Sequence, residues 1–393
     1  MRRYRRSRYL FFYCDDRPLL DIPALLHGRA VLAPIRQILA ISTLTATEFP
    51  ISRAEFDVLL ALPADEWADR DGADSDLLGE LARRGVVLSE EDGDQFRELR
   101  RREQALCAGQ WNIYAAVYHY LTKWCDVDVP PAGGELEYDT PTAELTEAFI
   151  RAAGTPPPHF ADVADATLTV IDLPLVERRG GLWETLTRRR TTRDFTPESL
   201  TLTELSLILR YTFGCHGSSE VASELTVLRK TSPSGGAMHP TEAYVLARNV
   251  DDLELGIYHY GVERHQLELL RRLTPDECDT IALELSAGQT FVRDAAALFL
   301  ITTRFYRNYW KYRQHQRAYA VLLMDAAHLA QTFYLVCTEL EMGVFVTAAV
   351  NGANIEKALG LDPFVEGALA LWGCGRPAAT APTDFDRYVP RVP

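Results

Sequence analysis

Apolar positions along the chain change period several times, and each change predicts an element. Short β-rich runs at residues 8–14, 30–33 and 37–42 are separated by polar breaks at Asp15-Asp16 and by Pro34. Ser52, followed three residues on by Glu55, forms a capping box that opens a helix through Leu62. Asp74 or Ser75 starts a second helix, with Leu77, Leu78 and Leu81 on one face until Arg84-Gly85 ends it. Val86-Val87-Leu88 then reads as a wing strand closed by the acidic turn at residues 90–94. Strands, two helices and a wing predict a small winged-helix-like N-terminal domain over residues 1–95.

Residues 96–124 carry a helical pattern dense in aromatics, among them Trp111, Tyr114, Tyr118, Tyr120 and Trp124. Aromatics at this density build a core or a domain interface, so His119 within them is assigned to packing. Pro and Gly clusters at residues 129–134 and 155–158 predict linkers, giving a helical and Pro-rich connecting region over residues 96–172. Beyond it, strands near residues 244–248, 256–260 and 266–270 precede a helix capped by Thr274 and an all-apolar strand at 295–303. A long helix at residues 316–342 is apolar on nearly every face, as expected for a helix at the centre of a domain. Strands at 344–347 and 367–373 flank a helix at 352–359. The alternation predicts an α+β domain over residues 173–393, built on a mixed sheet and the long central helix.

Composition narrows the function classes. The chain has 393 residues, 47% of them apolar, enough for two or more cores. A net charge of −14 argues against nucleic acid, although Arg2, Arg3, Arg5, Arg6 and Arg8 make the first residues basic, a frayed terminus or a peptide contact. Seven scattered cysteines with no Cys-x-x-Cys spacing support neither a metal site nor a disulfide framework. The apolar run at residues 9–13 is too short for a signal-peptide core. The long apolar helix carries Asp325, His328, Glu339 and Glu341, so it reads as buried rather than membrane-spanning. A cytoplasmic protein without membrane contact is expected.

Two stretches carry chemistry. Residues 231–244 read Thr-Ser-Pro-Ser-Gly-Gly-Ala-Met-His-Pro-Thr-Glu-Ala-Tyr. Two hydroxyls around a stiff Pro, then two residues without side chains, suit a loop that lays backbone N–H groups against a flat ligand. Residues 188–195 read Arg-Arg-Arg-Thr-Thr-Arg-Asp-Phe, crowding four arginines ahead of a helix beginning near Thr201. Such a cluster repels itself unless an anion sits within it, and arginine forks beside Thr hydroxyls suit phosphate. Cys215-His216 lie in a polar loop near this region, without further ligands spaced for a metal.

Together these stretches resemble the nitroreductase superfamily, and the loop motif is similar to that of the SagB-type dehydrogenases, which mature ribosomal peptides. The resemblance covers about residues 173–377 and implies a nitroreductase-like fold, FMN as cofactor and a homodimer. It implies that Arg189, Thr191 and Arg193 take the FMN phosphate and ribityl region, with Arg376 adding a charge. It implies that Ser232, Pro233, Ser234, Gly235 and Gly236 line the flavin ring, and that Lys311 and Tyr312 supply the proton chemistry. Lysine is scarce here, with only Lys123, Lys230, Lys311 and Lys357 in an arginine-rich chain. An amine loses its proton where a guanidinium does not, so a lysine beside Tyr312 suits a general base, the more so if buried. The function implied is FMN-dependent oxidation of azoline to azole rings in a precursor peptide, with a cyclodehydratase as partner. Reduction of dehydroamino acids, nitro groups or quinones with NAD(P)H, or a non-catalytic scaffold that recruits the peptide, remain open.

Overall fold

A computed structural model describes residues 2–15, 18–20, 32–34, 37–70, 74–128, 151, 180–222, 225–313, 315 and 317–378. Both predicted linkers and the predicted boundary at 172–173 lie outside the described residues, as does part of the strand expected at 30–33.

The N-terminal strands are β1 (Arg2–Arg6), β2 (Leu10–Asp15), β3 (Pro18–Leu20), β4 (Leu32–Pro34), β5 (Gln37–Ser42), β6 (Thr47–Ile51), β7 (Ala68–Arg70) and β8 (Val87–Ser89). They are interleaved with α1 (Arg53–Ala61) and α2 (Asp74–Arg83). Ser52 and Glu55 close the capping box at the start of α1 as the spacing predicts. The basic start is no frayed arm. Arg2–Arg6 is the middle strand of an antiparallel sheet, between β7 and β8, with Tyr4 buried beneath it. Its arginines find carboxylates across the fold, Arg3 at Glu90 and Arg5 at the buried Glu103. The strand expected as a wing is β8, which pairs directly with β1. Tyr4, Leu59, Leu78, Leu81 and Val87 form the core of this unit.

The aromatic stretch forms two helices, α3 (Asp94–Ala108) and α4 (Ile113–Leu121), where one pattern was expected. Gly109 caps the first, Gln110 turns with a φ of 57°, and the Asn112 side chain caps the second. Trp111, between them, packs its ring 4.5 Å from Phe305 and 5.0 Å from Tyr309, tying these helices to the C-terminal half. His119 is buried there as a packing residue, sharing a 2.7 Å hydrogen bond with the Tyr319 hydroxyl.

The C-terminal half contains α5 (Gly181–Arg188), α6 (Leu202–Thr212), β9 (Gly217–Ala222), β10 (Leu225–Arg229), β11 (Thr241–Ala247), β12 (Gly256–Gly261) and β13 (Gln266–Arg272). After them come α7 (Pro275–Leu285), β14 (Ala297–Arg304), α8 (Phe305–Tyr312), α9 (Ala318–Glu339), β15 (Gly343–Thr347), α10 (Gly352–Leu359) and β16 (Glu366–Gly375). Six strands form one sheet in the order β13-β12-β11-β14-β16-β15. All five pairings are antiparallel, which corrects the mixed sheet expected from the alternation of strands and helices. The helix-containing connections return the chain beside its neighbours in the opposite direction, where crossovers would have made parallel pairs. Residues 215–219, expected as a loop, enter the β9–β10 hairpin from Gly217 onward.

β14, apolar from Ala297 to Ile301 and ending in Thr302, Thr303 and Arg304, is central, with Leu298, Phe299, Leu300 and Ile301 fully buried. Its two faces feed separate cores. Phe299 meets Phe333 of α9 and the core containing Trp372, while Leu298 and Leu300 meet Ile281 and Leu285 of α7 and Ile355 of α10. Among the described residues one helix, α9, is long and apolar enough to cross a membrane. It lies against the sheet, with Leu322, Leu329, Phe333 and Cys337 buried.

Candidate flavin site

Residues 230–240 connect β10 to β11 over the N-terminal half of α9. Within the loop the Ala237 and Met238 N–H groups pair with the Ser234 and Gly235 carbonyls, and a helix side chain takes the Gly235 N–H. Asp325, 3% exposed, accepts a hydrogen bond from the Gly235 N–H at 2.9 Å and a second from the Ser234 hydroxyl. Ser234 Oγ in turn accepts the His239 N–H at 2.9 Å. Ser232 is buried and shares a 2.6 Å hydrogen bond with Thr332. Charge-assisted bonds of this type are the stronger ones, so the Asp325 carboxylate is a principal anchor of the loop.

Both glycines are required by close approach. A Cβ on Gly235 would lie 2.2 Å from Val321 Cγ1, and one on Gly236, at a φ of 60°, would lie 2.6 Å from Lys311 Cδ. The Lys311 amine donates to the Gly236 carbonyl oxygen at 3.3 Å. The Tyr312 hydroxyl stands 3.5 Å from the Cβ position of Gly235. The fold therefore brings Lys311 and Tyr312, at the end of α8, onto the Gly-Gly pair. In the single chain Lys311 is exposed, so the burial expected for it is not supplied by the chain's own packing.

The arginine segment lies elsewhere on α9, at its C-terminal half. Arg188 donates to the Thr338 carbonyl, Arg189 stacks over the Tyr334 ring at 5.2 Å, and Thr191 shares a 2.9 Å hydrogen bond with the Tyr334 hydroxyl. Arg193 lies over Phe291 at 5.3 Å, and the Thr192 N–H is pinned to the Val344 carbonyl. Among the described residues no carboxylate pairs with Arg188, Arg189, Arg190 or Arg193. These guanidinium groups leave positive charge without a matching carboxylate, the charge a phosphate would match. Arg376 is different, because Glu204 takes its guanidinium with contacts of 2.8 and 2.9 Å, so its charge is already matched. The loop bonds α9 at Asp325 and Thr332, and the arginine segment meets it at Tyr334 and Thr338. From Asp325 to Tyr334 the helix rises about 14 Å. Pro233 sits exposed at the loop's outer rim.

Two residues that sequence alone did not assign hold this arrangement. Asp325 stood out only as a charge in an apolar helix, and its partners lie about ninety residues away in sequence. Arg307, one turn before Lys311, donates from Nε to the Met238 carbonyl oxygen at 2.8 Å. Its signal was position, at i and i+4 with Lys311 on one helix face.

Comparison with known proteins places the chain in a family. The Nitroreductase family profile matches residues 186–376. The chain is 31% identical over 194 residues to "Putative nitroreductase MJ1384" of Methanocaldococcus jannaschii, covering 49% of this chain and 91% of that protein. The chain belongs to the nitroreductase family, a class of flavin oxidoreductases whose cofactor is FMN. It is also 31% identical over 182 residues to the trifolitoxin-processing protein TfxB of Rhizobium leguminosarum bv. trifolii, covering 45% of this chain. That match spans about half of TfxB, 47% of its length. Among solved structures, a chain of the E. coli microcin synthetase McbBCD complex with truncated pro-MccB17 bound superposes with a TM-score of 0.50. It is 18% identical, and the superposition covers 70% of this chain and 94% of that one.

Proposed function

We propose that this chain is a SagB-type, FMN-dependent dehydrogenase that oxidises azoline rings to azoles in a ribosomally made precursor peptide. The observation that carries it is the placement of Lys311 and Tyr312, an amine and a phenol, against the Gly235-Gly236 pair. The similarity to a trifolitoxin-processing protein supports a peptide as substrate.

Arg189, Thr191 and Arg193 would hold the FMN phosphate, and Ser232, Pro233, Ser234, Gly235 and Gly236 would hold the ring edge. When bound, FMN supplies a two-electron acceptor for hydride. Lys311 takes the proton from the α-carbon of the azoline, and Tyr312 orients the ring by its hydroxyl. The Gly236 carbonyl holds the Lys311 amine in place, so the base is positioned before substrate arrives. Loss of one proton and one hydride from adjacent carbons gives the aromatic azole, which makes the step downhill.

The chain divides, on this account, into a leader-recognition-like domain at residues 1–95, a connecting region at 96–172 and the flavin domain at 173–393. A precursor peptide and a cyclodehydratase are its partners in the cytoplasm. A homodimer is supported by exposed Leu323 and Met324 on α9 and by Tyr306 and Trp310 on α8, beside the site. A second copy there would also bury Lys311.

Lys311→Ala is the test. The variant is expected to keep bound FMN and lose dehydrogenation of an azoline peptide; full activity would remove Lys311 from the mechanism. Consumption of NAD(P)H in proportion to product would instead favour a reductase.

A further inference from the structure

The second half of the loop motif, Met238 to Glu242, takes no part in the chemistry above. It lines a separate cavity of about 170 Å³ where β11 begins and β14 ends. Five ionisable side chains face this cavity: Lys230, His239, Glu242, Arg304 and Arg307. Their charges do not cancel. Glu242 pairs with Arg304 at 2.6 Å and approaches His259 at 3.5 Å, and His259 also meets Glu268 at 2.9 Å. The His239 ring is hydrogen-bonded to the Leu228 carbonyl. Lys230 and Arg307 are left over. Arg307 spends its Nε on the Met238 carbonyl, and neither cation has a carboxylate partner among the described residues. Burial pushes the Lys230 ammonium below its ordinary 10.5, with the nearby Glu242 carboxylate opposing the shift and the Arg304 and Arg307 charges adding to it.

Resting on the peptide assignment above, we propose that this cavity is a carboxylate subsite that holds an acidic side chain or the C-terminus of the peptide substrate. An ammonium and a guanidinium, both facing one small cavity, supply the donors a carboxylate takes in pairs. The volume is well below the roughly 300–1,000 Å³ of cofactor and drug-sized pockets, so a nucleotide does not fit. The inward-facing Glu242 opposes a doubly charged phosphate more strongly than a singly charged carboxylate. Position then gives the subsite a purpose. Arg307 and Lys311 lie one turn apart on α8, about 6 Å along its axis, and grip the same loop through Met238 and Gly236. A carboxylate anchored at Arg307 fixes which ring of a peptide reaches Lys311.

Lysine acylation tests this on the full, FMN-loaded chain, because only four lysines are present and each is resolved by peptide mass spectrometry. The probes are N-acetyl-triglycine as the free acid, the same peptide as its amide, and inorganic phosphate. The free acid is expected to slow labelling of Lys230 about tenfold at concentrations where the amide does not, as for gain of a charge-assisted contact. Exposed Lys357 serves as the control and stays unchanged. Arg307→Gln is expected to abolish the protection. Equal protection by acid and amide, or stronger protection by phosphate than by acid, overturns the proposal, and the wild-type comparison decides whether or not the variant folds. Labelling reads occupancy without turnover, so its outcome is separate from that of azoline oxidation.

Discussion

The Lys311 amine donates to the Gly236 carbonyl oxygen at 3.3 Å, joining two segments 75 residues apart in sequence. A lysine that closes on a glycine in this way depends on the glycine having no side chain. Gly236 has a φ of 60° and leaves only 2.6 Å between its Cβ position and Lys311 Cδ.

Gly236→Ala is therefore expected to displace Lys311 more than it unfolds the protein. The positive φ costs about 1 kcal/mol, a shift of a few degrees in Tm. Misplacing the base costs more, about 100-fold in kcat on an azoline peptide. Unchanged kcat in the folded variant would show that the Lys311 contact has no role.

Asp325→Asn tests what holds the loop. Asp325 accepts from both the Gly235 N–H and the Ser234 hydroxyl while buried. Hydrogen bonds to a charged acceptor contribute about 1.5–3 kcal/mol, so melting and FMN retention are both expected to fall. A variant that melts like the wild type and binds FMN equally well would place the loop's support elsewhere.

Arg193→Ala separates the phosphate site from the ring site. Arg193 rests on Phe291 and has no carboxylate partner among the described residues, so its loss leaves the fold intact. The FMN dissociation constant is expected to rise about tenfold or more, as for loss of one charged hydrogen bond. Equilibrium dialysis against free FMN reads it directly, and an unchanged constant contradicts the assignment.

Acid–base titration of stability should report His259. Glu242, then Glu268, raises its pKa from the ordinary 6.5 to about 9. A raised folded-state value means the contribution is complete below pH 6.5 and is lost as pH climbs through about 9. Melting temperature is expected to decline across that window in the wild type and to flatten in His259→Gln. Parallel profiles would assign the decline to other groups.

Local chemistry was the legible part of the sequence. The Ser52–Glu55 capping box, the Thr274 cap and the apolar run of β14 each rest on neighbours within a few residues, and each formed as the pattern predicted. The Gly-Gly loop and the Lys311-Tyr312 pair were legible as separate motifs. Their meeting depends on α8 folding back over the loop, which no spacing rule encodes. The antiparallel sheet was illegible for the same reason, since strand direction follows from how connections pack. Asp325 was visible as an odd charge, but its partners lie near residue 235. The break between α3 and α4 at residues 109–112 was masked by aromatics that continue the helical pattern on both sides.

The most direct measurement of the central claim is the visible spectrum of the FMN-loaded protein, recorded without oxygen, as an azoline-containing precursor peptide is added. Bleaching of the flavin band with no nicotinamide present, matched by loss of two hydrogens from the peptide, is the predicted result. A flavin band that stays unchanged with the peptide and bleaches only when NAD(P)H is supplied would contradict the account.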